Sequence, residues 1–399
     1  MKKLTSAEQN RKRNLTSFVV AIAFLFNSIC LLANIIFPSI DNFGELFVIF
    51  TLLLGIVSMF LRLSFKIRLN ILLPNVYILI FMLISYFYYK PSSTVLDLML
   101  NYVVWGLGIV FIMTQGFDEK KVIEYSFWIS TAVIIAELMV SANQRYELMT
   151  WSYAVFPSVA VTIVHFWYCR FQKYRYFIFY IPSLIMLIKF ILNVNRGGLL
   201  SLVSLMLFIV IKSTKQKGGR LKTRRAITFV LSVGVLLFAL FFEQIIVELY
   251  EYLSSIGYEI TAIRKTYKLI ITDNVTNNRN ELYSYAWNGF LESPILGHGI
   301  GGFSINHGGW VHNFVLQLLY EGGILLSAVV LIPLVKNCIF VIRSTRITKY
   351  EYAMFILLFS TSIPKLLVST ELWNTQTFWM LCAFGVFISS VYSKSRRTL

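Results

Sequence analysis

The chain has 399 residues, 57% hydrophobic and 16% aromatic, with only 14% charged. A soluble domain carries about a quarter charged residues, so this composition excludes one and indicates membrane spans, each needing about 20 apolar residues. The net charge of +17 could suggest nucleic acid, but its distribution assigns most of it to membrane topology, and no nucleic-acid partner is expected.

Twelve apolar runs follow along the chain, near 15–37, 44–61, 71–89, 95–114, 122–141, 150–169, 174–193, 197–212, 225–242, 312–335, 352–369 and 371–391. They predict an all-α polytopic membrane protein of about twelve transmembrane helices. With the N-terminus in the cytoplasm and the sides alternating, the inside segments hold 27 of the 36 Lys and Arg residues. That is the positive-inside pattern, and it predicts both termini in the cytoplasm. The first run exceeds a signal-peptide core and lacks a small-residue cleavage site, so it is expected to be retained. Cys30, Cys169, Cys338 and Cys382 have no CxxC spacing and predict neither a disulfide framework nor a zinc site. Glu137 and Lys365 fall within apolar runs but near outer ends, where snorkelling would serve them.

Most connections are short. The exception is 243–311, placed outside the membrane by the alternation, which divides the chain into helices one to nine (1–242), a large external loop (243–311) and helices ten to twelve (312–399). The loop's first half, IIVELYEYLSSIGYEITAIRKTYKLI, spaces apolar and charged residues as an interfacial helix would. Its second half turns polar and then glycine-rich, and an irregular segment held on a rigid bundle is where a site is expected.

Three of the four histidines, His298, His307 and His312, lie within fifteen residues at the end of this loop, among Gly297, Gly299, Gly301, Gly302, Gly308 and Gly309. Glycines let backbone turn sharply or approach a ligand, though a plain return turn would use them equally. No histidine pair has helical i,i+4 spacing and no HExxH is present, so a metal site is not expected. His312, followed by Asn313, opens the tenth span. A neutral imidazole held there could take a proton from a hydroxyl at ordinary pH, or it could simply be an interfacial histidine. Arg196, in NVNRGG, and Arg279, in NNRNELYSYAWNGF, lie on the same side. Either alone reads as a headgroup contact, whereas a pair facing a histidine could clamp a pyrophosphate. Glu321, about nine residues into the tenth span, must face a polar cavity or a partner. It could pair with an arginine or serve as a second acid/base group. The sequence contains no P-loop and no DxD pair. A transferase working outside the cell would need a substrate that carries its own energy, such as a lipid-linked diphosphate.

In order, Arg279, Trp287, SPILGHGIGGF (293–303), His312-Asn313 and Glu321-Gly322-Gly323, together with Arg196-Gly197-Gly198, resemble the O-antigen ligase/polymerase family. The resemblance covers roughly 193–335 and departs at the double glycine 322–323. It implies a GT-C-type bundle with one large external loop containing short helices, working in the bacterial cytoplasmic membrane without metal or cofactor. It further implies an undecaprenyl-diphosphate-linked oligosaccharide donor, with Arg196 and Arg279 on the diphosphate and His312 as the base. Asn313, Glu321, Trp287, His298, Gly297 and Gly299 would support them. Polymerase members join repeat units of O-antigen, capsule or exopolysaccharide, with a chain-length regulator and a flippase as possible partners, while ligase members move glycan to another acceptor. A lipid-glycan transporter is the reading from another class. It would need charges through mid-membrane, and here they gather at one mouth.

Overall fold

The computed structural model describes residues 6–37, 69–90, 92–140, 148–168, 177–193, 196–214, 242–258, 261–271 and 279–394, with four single positions between 46 and 53. Every regular element among them is helical, with no strand. In chain order they are α1 (Ser6–Phe24), α2 (Phe26–Ile36), α3 (Leu69–Tyr88), α4 (Ser93–Thr114), α5 (Glu119–Val140), α6 (Leu148–Tyr168), α7 (Phe177–Asn193) and α8 (Arg196–Thr214). They continue with α9 (Phe242–Ser255), α10 (Thr261–Ile271), α11 (Arg279–Glu292), α12 (Gly302–His307), α13 (Phe314–Arg343), α14 (Lys349–Val368) and α15 (Gln376–Lys394).

Four of these, α4, α5, α13 and α14, are long and apolar enough to cross a membrane, or five if α1 and α2, bent by 74° at Leu25, form one broken span. That is fewer than the twelve expected. The runs near 71–89, 174–193, 197–212 and 371–391 form shorter apolar helices, and those near 44–61 and 225–242 lie largely outside the described residues. The closely spaced runs 352–369 and 371–391 are separate helices, α14 and α15, packed on each other. The stretch expected to lie at the interface is a pair of short helices, α9 and α10, joined through stacked Tyr250 and Tyr267 rings 4.0 Å apart.

One apolar core runs through α1–α8 and α13–α15. α14 is its centre, packed against α8, α15 and α6, and it starts sharply because Thr348 and Glu351 cap it reciprocally. α4 contains a π-helical turn, Tyr102–Gly108, held where the Tyr102 hydroxyl donates to Asn75 Oδ1 at 2.6 Å.

Two side chains expected to snorkel do not. Glu137 is fully buried and accepts from Trp151 Nε1 at 3.0 Å and Lys189 Nζ at 3.1 Å, linking α5, α6 and α7. Lys365 is 8% exposed, enclosed within the bundle. A carboxylate with no water must find donors inside, and the lysine and indole supply them.

Removing one partner of a buried ion pair strands the other charge, whereas removing both does not. Lys189→Met is therefore expected to cost about 3–5 kcal/mol in detergent unfolding, and the Glu137→Gln/Lys189→Met double variant to recover most of that loss. Equal losses in the single and double variants would contradict the pairing.

Candidate functional site

The site is built where the 293–303 loop meets a break in α13. At Gly323 the helix leaves helical geometry, with φ 57° and ψ −156°. The break exposes carbonyls and amides that the helix would otherwise bond internally, and the loop takes them up. His298 and Gly299 N–H donate to the carbonyls of Tyr320 and Glu321, at 2.8 and 2.7 Å. Ile324 and Leu325 N–H donate back to Pro294 and Ile295, at 2.8 and 3.3 Å. Buried backbone within a membrane protein tolerates such a break only when its groups are bonded in this way.

This contact explains the second glycine of the pair, Gly323. A Cβ at Gly323 would lie 2.4 Å from the Ile295 carbonyl oxygen, and one at Gly297, itself at φ +66°, would lie 2.6 Å from the Tyr320 carbonyl oxygen. Main chain touches main chain, so neither position has room for a side chain. Gly299 also has a positive φ and faces Ser85 and Tyr89 of the α3 end. From there the Tyr89 hydroxyl donates to the His298 carbonyl, and Ser85 Oγ accepts from Ile300 N–H.

Glu321 lies beneath this junction, 1% exposed. Its Oε1 accepts from Gly301 N–H at 3.2 Å and Gln317 Nε2 at 3.3 Å, and its Oε2 from Trp373 Nε1 at 2.8 Å. The arginine partnership considered from the sequence is replaced by three neutral donors. Glu321 therefore ties loop, α13 and the α14–α15 connection together. His298 is equally committed: its Nε2 donates to the Gly289 carbonyl at 2.8 Å and its ring stacks on Tyr320 at 4.7 Å. Trp287 is 46% exposed on α11 beside Phe290 and so stands away from this junction. Asn313 caps α13, its Oδ1 accepting from Val315 and Leu316 N–H at 3.0 and 3.2 Å.

His312 sits between this cap and the junction, in left-handed geometry at φ 58°. A non-glycine residue adopts that conformation only where its surroundings hold it. The restraint is visible: Nδ1 lies 3.0 Å from the Ser369 carbonyl oxygen. A carbonyl only accepts, so Nδ1 carries the proton and Nε2 presents a bare lone pair. Burial lowers the His312 pKa below its ordinary value. The Ser369 bond opposes that shift and the nearby charge of Arg279 adds to it. The Arg279 charge, at the start of α11, is thus felt at His312. The Arg196 side chain lies outside the described residues. The next residue, Gly197, packs so that a Cβ would lie 2.0 Å from Tyr153 Oη and 3.0 Å from Val368 Cγ2. Val368 adjoins Ser369, so the start of α8 approaches the same corner.

Ser369, Gln317, Trp373 and Ser85 were not singled out from the sequence. None carries a local motif, and each acts through a contact made across the fold, Gln317 by accepting from Leu372 N–H at 3.3 Å.

Residues 181–331 match the family described as O-Antigen ligase. A search of curated proteins and a search of solved structures found no match. The matched stretch contains Arg196, Arg279, His312 and the Gly323 break, while Lys365, Ser369 and Trp373 lie beyond it. Residues 181–331 are thus similar to an O-antigen ligase domain, and the apolar helices indicate an integral membrane protein.

Two substitutions test the junction. Gly323→Ala forces a side chain into essentially glycine-only geometry and is expected to cost roughly 3 kcal/mol, whereas Gly309→Ala, with open space around it, is expected to be neutral in the same unfolding assay. Glu321→Gln replaces one of two acceptor oxygens by a donor facing other donors, so a loss of about 1–3 kcal/mol is expected. A Glu321→Gln protein as stable as the parent would remove the carboxylate from this structural role.

Proposed function

We propose that the protein is a surface-polysaccharide polymerase, a glycosyltransferase that joins undecaprenyl-diphosphate-linked oligosaccharide repeat units at the outer face of the bacterial cytoplasmic membrane. The observation that carries this reading is the His312 geometry, an imidazole tied by Nδ1 to the Ser369 carbonyl with its Nε2 free and a guanidinium nearby. That arrangement suits one task, removing a proton beside a developing negative charge.

In the reaction, His312 Nε2 takes the proton of an acceptor sugar hydroxyl. The oxygen attacks the anomeric carbon of the donor sugar, and the bond from that carbon to the diphosphate oxygen breaks. The electron pair leaves with the lipid diphosphate, and a single displacement inverts the anomeric carbon. Arg279, with Arg196, stabilises the departing charge, and such donors act strongly where water is scarce. The His312 proton later passes to solvent or to the diphosphate. No metal or nucleotide is required, because the donor brings its own leaving group.

The wider frame belongs to the same reading: about twelve spans in a GT-C-type bundle, both termini in the cytoplasm, and 243–311 as an external lid over the glycan. The positive-inside distribution supports the orientation. Capsule, exopolysaccharide and O-antigen units are all substrates of this class, and a flippase and a chain-length regulator are the expected partners. A ligase moving glycan to another acceptor would use the same donor groups, and the O-Antigen ligase match is compatible with both readings.

Purified protein in nanodiscs with lipid-linked repeat units tests both. His312→Ala is expected to lower transfer by about 10²–10⁴-fold, and a ladder of product lengths indicates a polymerase where one added unit indicates a ligase. The active form is the neutral imidazole and its pKa is lowered. Activity should therefore persist from neutral pH to below about 6.5 and fall as pH drops through the lowered value. Arg279→Gln removes a nearby positive charge, so besides slowing transfer it should move that acid limb upward. Normal glycan yield from a well-folded His312→Ala protein would overturn the assignment.

A further inference from the structure

Beside His312 a cavity of about 490 Å³ opens between α2, α4, α6 and the α14–α15 connection, within the range of roughly 300–1,000 Å³ typical of small-molecule sites. Ser369, whose carbonyl fixes the His312 ring, is one of its walls. Lys365 lines it as well, one turn before Ser369 and enclosed by the bundle. The Lys365 ammonium has no hydrogen-bond or ion-pair partner among the described residues. A buried, unpaired cation in a membrane bundle is costly, and such residues mark sites where a ligand supplies the counter-charge. The Thr370 hydroxyl, also on this cavity, is buried and likewise without a partner among the described residues.

The remaining lining fits a sugar. Asn34, Asn374 and Gln376 offer amides, and Glu371 is held by Asn374 Nδ2, which donates to its Oε2 at 2.7 Å. Burial, and then the Glu321 charge, push the Glu371 carboxyl up to about 8, toward the protonated form that can donate. Trp310 and Trp105, the latter in the π-helical turn of α4, add two indoles, whose faces suit the C–H face of a pyranose. A wider groove of about 1030 Å³ around Lys336, Arg343 and Arg346 lies at the opposite end of α13 and lacks this combination.

We propose that this cavity binds a sugar residue carrying a carboxylate, with Lys365 as the counter-ion, the neighbouring amides on its hydroxyls and Trp310 against its ring. In the reaction proposed above this residue is the acceptor unit, a role that rests on that reading. The binding itself does not. The glycan handled by this protein is then acidic, of the uronic-acid type.

The full chain in nanodiscs, titrated by ligand-observed NMR, tests this with methyl β-glucuronide, methyl β-glucoside and inorganic pyrophosphate. The glucuronide is expected to bind at least about tenfold more tightly than the glucoside, the effect of one charged hydrogen bond. Lys365→Met keeps the apolar stem and removes a buried charge, so it should fold, lose the preference and bind the glucoside unchanged. Trp310→Ala should weaken both glycosides alike. Equal binding of the two glycosides, a preference surviving in Lys365→Met, or Lys365-dependent binding of pyrophosphate alone would overturn the proposal. His312→Ala should keep the preference. If that variant also keeps full transfer, the proposed reaction fails while the acidic-sugar site stands; if transfer needs His312 but no preference is seen, the site fails and the reaction stands.

Discussion

At Gly323, α13 gives up its own hydrogen bonds and takes four from the loop that runs past it, two in each direction. Unpaired backbone inside a membrane protein is too costly to persist, so the break and the loop require each other. Neither surface has room for a side chain, because the approach is main chain to main chain. Everything around the site hangs from this clasp. Glu321 fastens it to Gln317 and Trp373, His298 to α11, and Ser85 and Tyr89 to the end of α3.

The consequence for chemistry lies a few residues before the clasp. His312 enters α13 in a strained conformation, pinned between the Asn313 cap and the Ser369 carbonyl. One hydrogen bond fixes both its orientation and its tautomer, and burial with the Arg279 charge favours its neutral form. In the proposed reaction these properties make the imidazole a base before any substrate arrives. The same carbonyl wall borders the cavity holding Lys365, so in the proposed reaction the acceptor hydroxyl and His312 would share one corner of the bundle.

How much of this could be read from the chain follows from the range of the forces involved. Hydropathy located the long helices, because burial in lipid is a property of consecutive residues. Among the described residues, length and apolarity together hold for α4, α5, α13 and α14, while α7 and α15 are shorter apolar helices. The glycine-rich segment and the His312-Asn313 pair stood out as residue types, and the Arg279 charge acts on the His312 equilibrium. The purpose of Gly323 was not legible, because it depends on a loop arriving from some twenty-eight residues earlier in the chain. Glu321 was recognisable as needing a partner, but its partners, an indole, an amide side chain and a backbone amide, carry no charge signal. Lys365 and Glu137 misled for the opposite reason. Their positions near helix ends suggested the membrane surface, and only the packing of neighbouring helices shows that Glu137 is closed off and that Lys365 faces an internal cavity.

The central physical claim is that His312 is held neutral with its proton on Nδ1. The most direct measurement is the pH dependence of imidazole ¹⁵N shifts in histidine-labelled protein, with the His312 signals assigned by their loss in a His312→Gln variant. The account predicts a protonated Nδ1 and a bare Nε2 at neutral pH, with titration below about 6.5. A proton on Nε2, or titration above that value, would contradict it.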